Sequence, residues 1–317
     1  MKGKVCTLAM LVVWAAAGLL AQCDRGLITG TVKDATGAVV PGAQVTANHR
    51  ATNTNYKANT TATGDFTVPA LPVGTYQVRV ESTGFKTHIA NDIVVAAGAT
   101  ARLDVTLELG TTQQTIEVTS AIQVVQSETA RVSTEVSSKL VNEMPIIVGG
   151  AVRSPFDLAT ITPEVAGGGD SSLRIAGGRV GAYGVTLDGT AATVGRSDAQ
   201  VSWSVTNAPS VEALTEFSVE SGGFKAETGH ASGGTISFVS KSGTNDLHGN
   251  AYEFLRNQVL DARGFFAATK AIYKQNDFGA TVGGPVWIHK LYNGKNRTFF
   301  FFSYEGFRNR VGASATP

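Results

Sequence analysis

Five histidines and two cysteines are the side chains of this 317-residue sequence best suited to metal binding or nucleophilic chemistry, and their spacing argues against both. His49, His88, His230, His248 and His289 are widely separated, and none forms the short-range ligand pair that a zinc site needs. Cys6 would be lost with an N-terminal export signal, which leaves Cys23 alone, and one thiol cannot close an internal disulfide. Gly177 to Gly181 is glycine-rich without a phosphate-loop pattern and reads as a turn. Asp188-Gly189 has the signature of a hairpin turn rather than of a catalytic acid. The sequons Asn59-Thr60-Thr61 and Asn296-Arg297-Thr298 carry little weight. The expectation is no enzyme: no catalytic group, no cofactor and no metal. A formal net charge of +1 removes any electrostatic case for nucleic acid.

With chemistry set aside, the chain is a problem of export and of strands. Lys2 and Lys4 precede an apolar run from Leu8 to Leu20, and Ala21 supplies a small residue at a cleavage point, so residues 1–22 are expected to be a secretory signal peptide. Cys23 follows at once; lipidation there is an alternative to an incidental cysteine, although Gln22 is a poor residue before a modified one. Charged residues are 16%, below the roughly 25% of soluble domains.

Near the C-terminus, apolar and polar residues alternate with period two, which sorts them onto two faces of a sheet. Tyr252 and Phe254 share one face, against Ala251, Glu253 and Leu255. Phe278, Ala280 and Val282 oppose Gly279, Thr281 and Gly283, and Phe300, Phe302 and Tyr304 oppose Phe299, Phe301, Ser303 and Glu305. These lengths and patterns fit tilted membrane strands, with Glu253, Glu305 and Ser303 expected toward a lumen and Trp287 and Tyr304 as aromatic-girdle candidates. The link from Gln258 to Gln275 is long; that from His289 to Arg297 is short and contains Asn293-Gly294, a turn signal. Long links lie outside and short ones in the periplasm, so the first strand is expected to run outward.

Between Gly26 and Gly110, short alternating strands are separated by frequent turns: Ile28/Gly30/Val32, Ala43/Val45/Ala47, Phe66/Val68, Tyr76/Val78/Val80 and Leu103/Val105/Leu107/Leu109. That is the pattern of a β-sandwich, with Tyr56, Tyr76 and Phe85 expected in its core. Residues 111 to 245 mix strands with short helices. Ser137 or Ser138 can cap a helix through Leu140, Val141 and Met144 that Pro145 ends; Ser154-Pro155 opens another before Phe156, Leu158 and Ile161; Ser210 can cap Val211 to Leu214. Strands are expected at Leu173–Ala176, Val185–Leu187, Glu216–Glu220 and Thr235–Ser240.

The wording GTVKDATGAVVPGAQVTA, then TGDFTVPALPVGTYQVRVESTGF, resembles the carboxypeptidase regulatory-like domain, a small transthyretin-like sandwich. No zinc-ligand spacing of His and Glu accompanies it, so no peptidase activity is implied. Further on, Asn142-Glu143-Met144-Pro145, Phe156-Asp157-Leu158, Leu173-Arg174-Ile175, Leu187-Asp188-Gly189, Pro209-Ser210-Val211-Glu212, Ser232-Gly233-Gly234 and Lys241-Ser242-Gly243-Thr244-Asn245 occur in order. This series resembles the plug of TonB-dependent outer-membrane receptors of the Oar-like branch, whose barrel start is matched by Gly283-Gly284-Pro285 and Phe300 to Gly306.

The resemblance implies a mainly β protein. It would comprise a transthyretin-like or Ig-like sandwich at 26–110, a TonB-box-like linker and α+β plug at 111–245, and the first three strands of an incomplete transmembrane β-barrel at 246–317. Three strands cannot close a barrel, so the chain is expected to be the front part of a longer one. The implied activity is energised uptake of an extracellular substrate, a saccharide or peptide, with outer-membrane lipid and the periplasmic domain of TonB as partners. TonB engages such receptors by adding a strand to an extended segment. Thr115, Ile116, Glu117, Val118, Thr119 and Ser120 form the candidate contact, being β-branched and free of proline; a plain linker or a last sandwich strand is the alternative. A secreted or surface carbohydrate-binding or adhesion protein built on the sandwich is the alternative for the whole.

Overall fold

The computed structural model of the protein describes residues 25–110, 115–119, 132–137, 140, 155–167, 173–192, 209–222, 233–263, 270 and 272–312. The chain is mainly β, as its alternation implies. The expected signal peptide, the helix expected after Ser137 or Ser138 (Leu140 apart) and the cap residue Ser154 lie outside the described residues.

Nine strands build the first part: β1 (Gly26–Asp34), β2 (Gln44–His49), β3 (Thr54–Asn59), β4 (Asp65–Leu71), β5 (Gly74–Glu81), β6 (Thr87–Val95), β7 (Thr100–Arg102), β8 (Val105–Leu107) and β9 (Thr115–Thr119). One sheet has the order β4-β1-β7, with β8 also paired to β1; the other has the order β3-β2-β5-β6-β9. Alternate residues of β1, Ile28 and Val32 among them, are buried, and they meet Val45, Ala47, Tyr76, Val78 and Val80 in one core cluster. Tyr56 and Phe85 pack against that core half-buried, while Tyr76 is fully buried and donates its hydroxyl to the Pro72 carbonyl at 2.7 Å. Each such large apolar side chain contributes about 1.5–3 kcal/mol on burial. Gly30 shows how closely the chain packs: a Cβ there would stand 1.8 Å from the Leu103 carbonyl oxygen. The expected run from Leu103 to Leu109 is interrupted: the Thr31 amide of β1 donates to the Asp104 side chain at 2.9 Å instead of to a main-chain carbonyl, and Leu109 ends 74% exposed.

The second part contains β10 (Val132–Ser137), the short helix α1 (Pro155–Ala159), β11 (Val165–Ala166), β12 (Arg174–Ile175), β13 (Tyr183–Leu187), β14 (Thr190–Ala191), β15 (Leu214–Gly222) and β16 (Gly234–Ser240). Its sheet runs β10-β15-β16-β13-β14, with β13 and β16 parallel. Phe156 of α1 stacks edge-on against Phe238 at 5.3 Å over a core of Leu158, Leu173, Ile175, Val185, Phe217 and Ile236. Asp188 (φ 50°) and Gly189 (φ 76°) make the expected hairpin turn between β13 and β14. Gly177 and Gly181, both at φ 70°, turn the chain between β12 and β13. At Ser210 the structure departs from expectation. Val211–Ala213 is one 3-10 turn, and the Ser210 hydroxyl does not cap it but lies 3.2 Å from the Tyr252 hydroxyl.

The third part is an open antiparallel sheet of β17 (His248–Asn257), β18 (Tyr273–Pro285) and β21 (Phe299–Val311), with the small hairpin β19 (Trp287–Ile288) and β20 (Tyr292–Asn293) between the last two long strands. The link makes two turns. One reverses the chain at Lys290 (φ 60°) and Leu291; the other starts at the expected Asn293-Gly294 pair, where Asn293 Oδ1 accepts from the Lys295 amide at 3.0 Å and the Gly294 carbonyl accepts from the Arg297 and Thr298 amides. The three parts touch. The Asn245 amide donates to the Ala51 carbonyl at 3.0 Å, and the Ala97 amide donates to the Glu216 carboxylate.

Candidate functional site

Thr115–Thr119 is an edge strand. Four of its residues, Thr115, Ile116, Val118 and Thr119, are β-branched, which favours an extended chain. It runs parallel to β6 in the register Thr87–Thr115, His88–Ile116, Ile89–Glu117, Ala90–Val118 and Asn91–Thr119. Ser120, the last of the six candidate contact residues, lies outside the described residues. The middle of β6, beside Thr119, is fixed by side chains: Asn91 is 4% exposed, and its side-chain Oδ1 accepts from Arg50 at 2.6 Å and from Gln77 at 2.8 Å. The sequence gives no direct sign of this pairing, because a parallel partner 28 residues away in β6 leaves no turn signal between the two strands.

The open sheet has two unlike faces, set by register. Ala251 pairs with Ala280 and Ala280 with Tyr304, while Val282 pairs with Phe302 and Gly284 with Phe300. These residues therefore share one face, on which Phe302 is 59% and Tyr304 55% exposed. Glu253 pairs with Phe278 and lies on this same face, not on the opposite one with Glu305 and Ser303 as expected. The reason is that Leu255, Glu253 and Ala251 follow the outer positions of β18, so the pleat carries Glu253 outward, where its carboxylate accepts from Asn276 at 3.1 Å. Trp287 is exposed in the small hairpin, edge-on to His289 at 5.7 Å.

The opposite face meets the second part of the chain. Asn250 donates to the Glu212 carboxylate at 2.8 Å and accepts from the Thr281 hydroxyl, and Tyr252 meets Ser210. Ser303 and Glu305 lie on this side with the fully buried Asp277, neither of whose carboxylate oxygens has a hydrogen-bond partner among the described residues. Lys241, at the end of β16, is half-buried, and that burial lowers its ammonium below the ordinary lysine range against the opposing pull of Glu212.

The histidines stay apart. His49 sits in the sandwich, edge-on to Tyr76 at 4.9 Å, with its Nδ1 accepting from the Thr52 amide. His88 lies in β6, His248 in β17 and His289 beyond β19, while His230 is outside the described residues. No cluster of His, Cys, Asp or Glu able to hold a metal occurs among the described residues.

A family described as carboxypeptidase regulatory-like domain matches residues 27–108, and one described as outer membrane beta barrel domain matches residues 239–317. The TonB-dependent transporter Oar of Myxococcus xanthus is 27% identical over 304 residues, taking in 87% of this chain. The chain spans 27% of that relative's length. Among solved structures, the siderophore receptor PirA of Acinetobacter baumannii aligns with 62% of this chain and 26% of its own, at 20% identity and a TM-score of 0.40. A variant of the ferric enterobactin receptor of Pseudomonas aeruginosa aligns with 49% of this chain and 22% of its own, at 15% identity and a TM-score of 0.36. The chain is thus similar to the TonB-dependent transporter Oar over most of its own length, and its two ends match the carboxypeptidase regulatory-like and outer membrane beta barrel families.

Proposed function

We propose that the chain works in a TonB-dependent outer-membrane receptor that takes up a saccharide or peptide from outside the cell. The single observation that carries this reading is the two-faced sheet β17-β18-β21. Its outer face exposes Phe300, Phe302 and Tyr304 as lipid would require, and its inner face engages the preceding unit through Asn250–Glu212 and Tyr252–Ser210. In this reading residues 26–110 are a periplasmic sandwich, 111–245 a TonB-contact linker and plug, and 246–317 barrel strands, preceded by a signal peptide at 1–22. In this reading the link between β18 and β21 is periplasmic, and the sandwich lies at that end through Ala51 and Asn245.

The outer membrane has no ATP supply, so opening the plug needs mechanical work delivered from the inner membrane through TonB. Thr115 to Ser120 is the segment TonB would engage by main-chain pairing. Val118→Pro in a receptor carrying this chain removes one amide donor and disturbs the strand. Loss of TonB-dependent uptake with outer-membrane assembly intact is the expected result. Unchanged uptake sinks the assignment of this segment. Recovery of the receptor in culture fluid instead of the outer membrane sinks the receptor reading itself.

A further inference from the structure

Between Pro285 and Phe299 the chain leaves the open sheet, and β19 and β20 pair with each other rather than with its long strands. From Trp287 to Thr298 every residue except Gly294 is exposed. Trp287, Ile288, Leu291 and Tyr292 are large and apolar in body, and Leu291 is 85% exposed. Lys290, Lys295 and Arg297 are interleaved with them, and no Asp or Glu occurs from Val286 to Tyr304. None of these three cations has an ion-pair partner among the described residues. An exposed apolar patch marks a contact surface, and unneutralised cations within it call for an anion.

We propose that this hairpin lies in the periplasmic leaflet of the outer membrane and binds the phosphates of its anionic glycerophospholipids. The proposal rests on the receptor reading above and adds to it a lipid site outside the barrel wall. Position is the first argument. A strand rises about 3.3 Å per residue and tilts about 40° in a barrel, so Thr298 stands about 10 Å from Phe302 along the membrane normal. With the exposed Phe302 in hydrocarbon, that step brings the hairpin to the headgroup level. Chemistry is the second. Trp287 and Tyr292 suit the interface, Ile288 and Leu291 the acyl boundary, and Lys and Arg carry their charge outward on apolar stems. A bilayer supplies hydrocarbon and phosphate side by side, whereas a soluble partner would have to bring an apolar patch ringed by acids. Rigidity is the third. The Val286 amide donates to the Thr298 carbonyl at 2.9 Å, and the Gly294 amide to the Val286 carbonyl at 2.8 Å. A Cβ on Gly294 would stand 2.6 Å from that Val286 oxygen, so glycine is what lets the two arms close. The Asn245–Asn296 bonds hold the arm that carries Lys295 and Arg297. Little ordering entropy is therefore lost when lipid binds. Because the Asn245 amide also donates to Ala51, a lipid-held hairpin sets the height of the sandwich beneath the membrane.

The test asks what surrounds Leu291. A receptor carrying this chain, with Leu291→Cys as its one free thiol after Cys6→Ser and Cys23→Ser, is labelled with a bimane fluorophore. It is reconstituted in vesicles of equal parts phosphatidylcholine and phosphatidylglycerol. Brominated chains are placed on one lipid or the other, and iodide serves as the aqueous quencher. The expected result is quenching by brominated lipid rather than by iodide, with phosphatidylglycerol enriched about fivefold beside the label, the effect of one engaged cation. Lys290→Gln, Lys295→Gln and Arg297→Gln together should return that ratio to the bulk value while the label stays in lipid. Quenching by both brominated lipids alike overturns phosphate recognition. Quenching by iodide puts the hairpin in water and overturns the anchor. Protection from all quenchers means that protein covers the hairpin, a second copy or another part of the receptor, and overturns it too. In these three outcomes heat-modifiable, bilayer-inserted protein leaves the receptor reading standing. Failure of the unsubstituted receptor to insert in a bilayer removes that reading and this inference together.

Discussion

Asn245 and Asn296 hold each other in both directions: the Asn245 side-chain amide donates to Asn296 Oδ1 at 2.8 Å, and the Asn296 backbone amide donates to Asn245 Oδ1 at 2.7 Å. Asn296 stands at φ 62°, a left-handed conformation that asparagine tolerates better than most residues. Because the Asn245 backbone also donates to Ala51, one residue joins the sandwich, the strand-to-barrel link and the small hairpin side of the sheet. Asn245→Ala removes both side-chain bonds. The expected loss is about 0.5–1.5 kcal/mol per bond, toward the low end because the pair is exposed. It is read as faster hydrogen exchange at Asn296, with β6 unaffected. An unchanged Asn296 exchange rate refutes the coupling.

Acid should loosen the sandwich in two separate windows. Burial lowers the imidazoles of His49 and His88 below the ordinary value of 6.5. The unfolded chain therefore binds these protons first as pH falls, so stability declines as pH drops through and below about 6.5. Asp34 and Asp65 are shifted the other way, held below the ordinary 3.8 chiefly by the Thr36 hydroxyl and the Thr31 hydroxyl respectively. Their contribution is present above 3.8 and is lost only as pH falls further, through their folded-state values. Urea unfolding of residues 25–119 between pH 7.5 and 5 should thus show a slope due to histidine, which His49→Gln reduces. A slope indifferent to both His49 and His88 substitutions contradicts the assignment.

Much of the architecture could be read from alternation, and the failures have one physical origin. Val45, Phe66 and Val78 alternate with polar neighbours because one face of each strand is buried, and local periodicity records that fact. Register is not local. Which face of β17 turns outward is decided by its pairing with β18, and Glu253 follows Phe278 rather than its own charge. The parallel β6–β9 pair, the Ala51–Asn245 bond and the Ala97–Glu216 bond join residues far apart in the chain, with no turn between them to announce the meeting. Thr115–Thr119 is recognisable as extended from its β-branched residues, while its neighbour β6 is not.

Asp188 does more than turn the chain. Its carboxylate accepts from the Ser240 amide and the Ser240 hydroxyl, both at 2.8 Å, and so ties the β13–β14 turn to the end of β16. Asp188→Ala loses both bonds and puts an alanine at positive φ, an expected cost of about 2–4 kcal/mol. Asp188→Asn keeps the conformational tolerance and one acceptor, and should cost less than half as much. Hydrogen exchange of the β16 amides ranks the two variants; equal effects would show that loss of the two-oxygen clamp on Ser240, not backbone strain, carries the cost.

Phe302 and Ser303 are neighbours in β21 on opposite faces, which makes them a matched pair for deciding what surrounds the sheet. If the outer face meets hydrocarbon, Phe302→Arg places a guanidinium in lipid and costs about 2–4 kcal/mol near the membrane midplane. Ser303→Arg puts the same charge toward the side that carries Glu305 and Asp277, where acidic and polar groups can receive it. In a receptor carrying this chain, the first variant should reduce assembled, heat-modifiable protein in the outer membrane several-fold more than the second. The ordering would reverse in a water-soluble protein, because Phe302 is 59% exposed and an arginine there would be solvated, whereas the Ser303 hydroxyl is buried with no partner among the described residues. The sign of the difference between adjacent residues therefore separates membrane from solvent without reference to what the receptor transports.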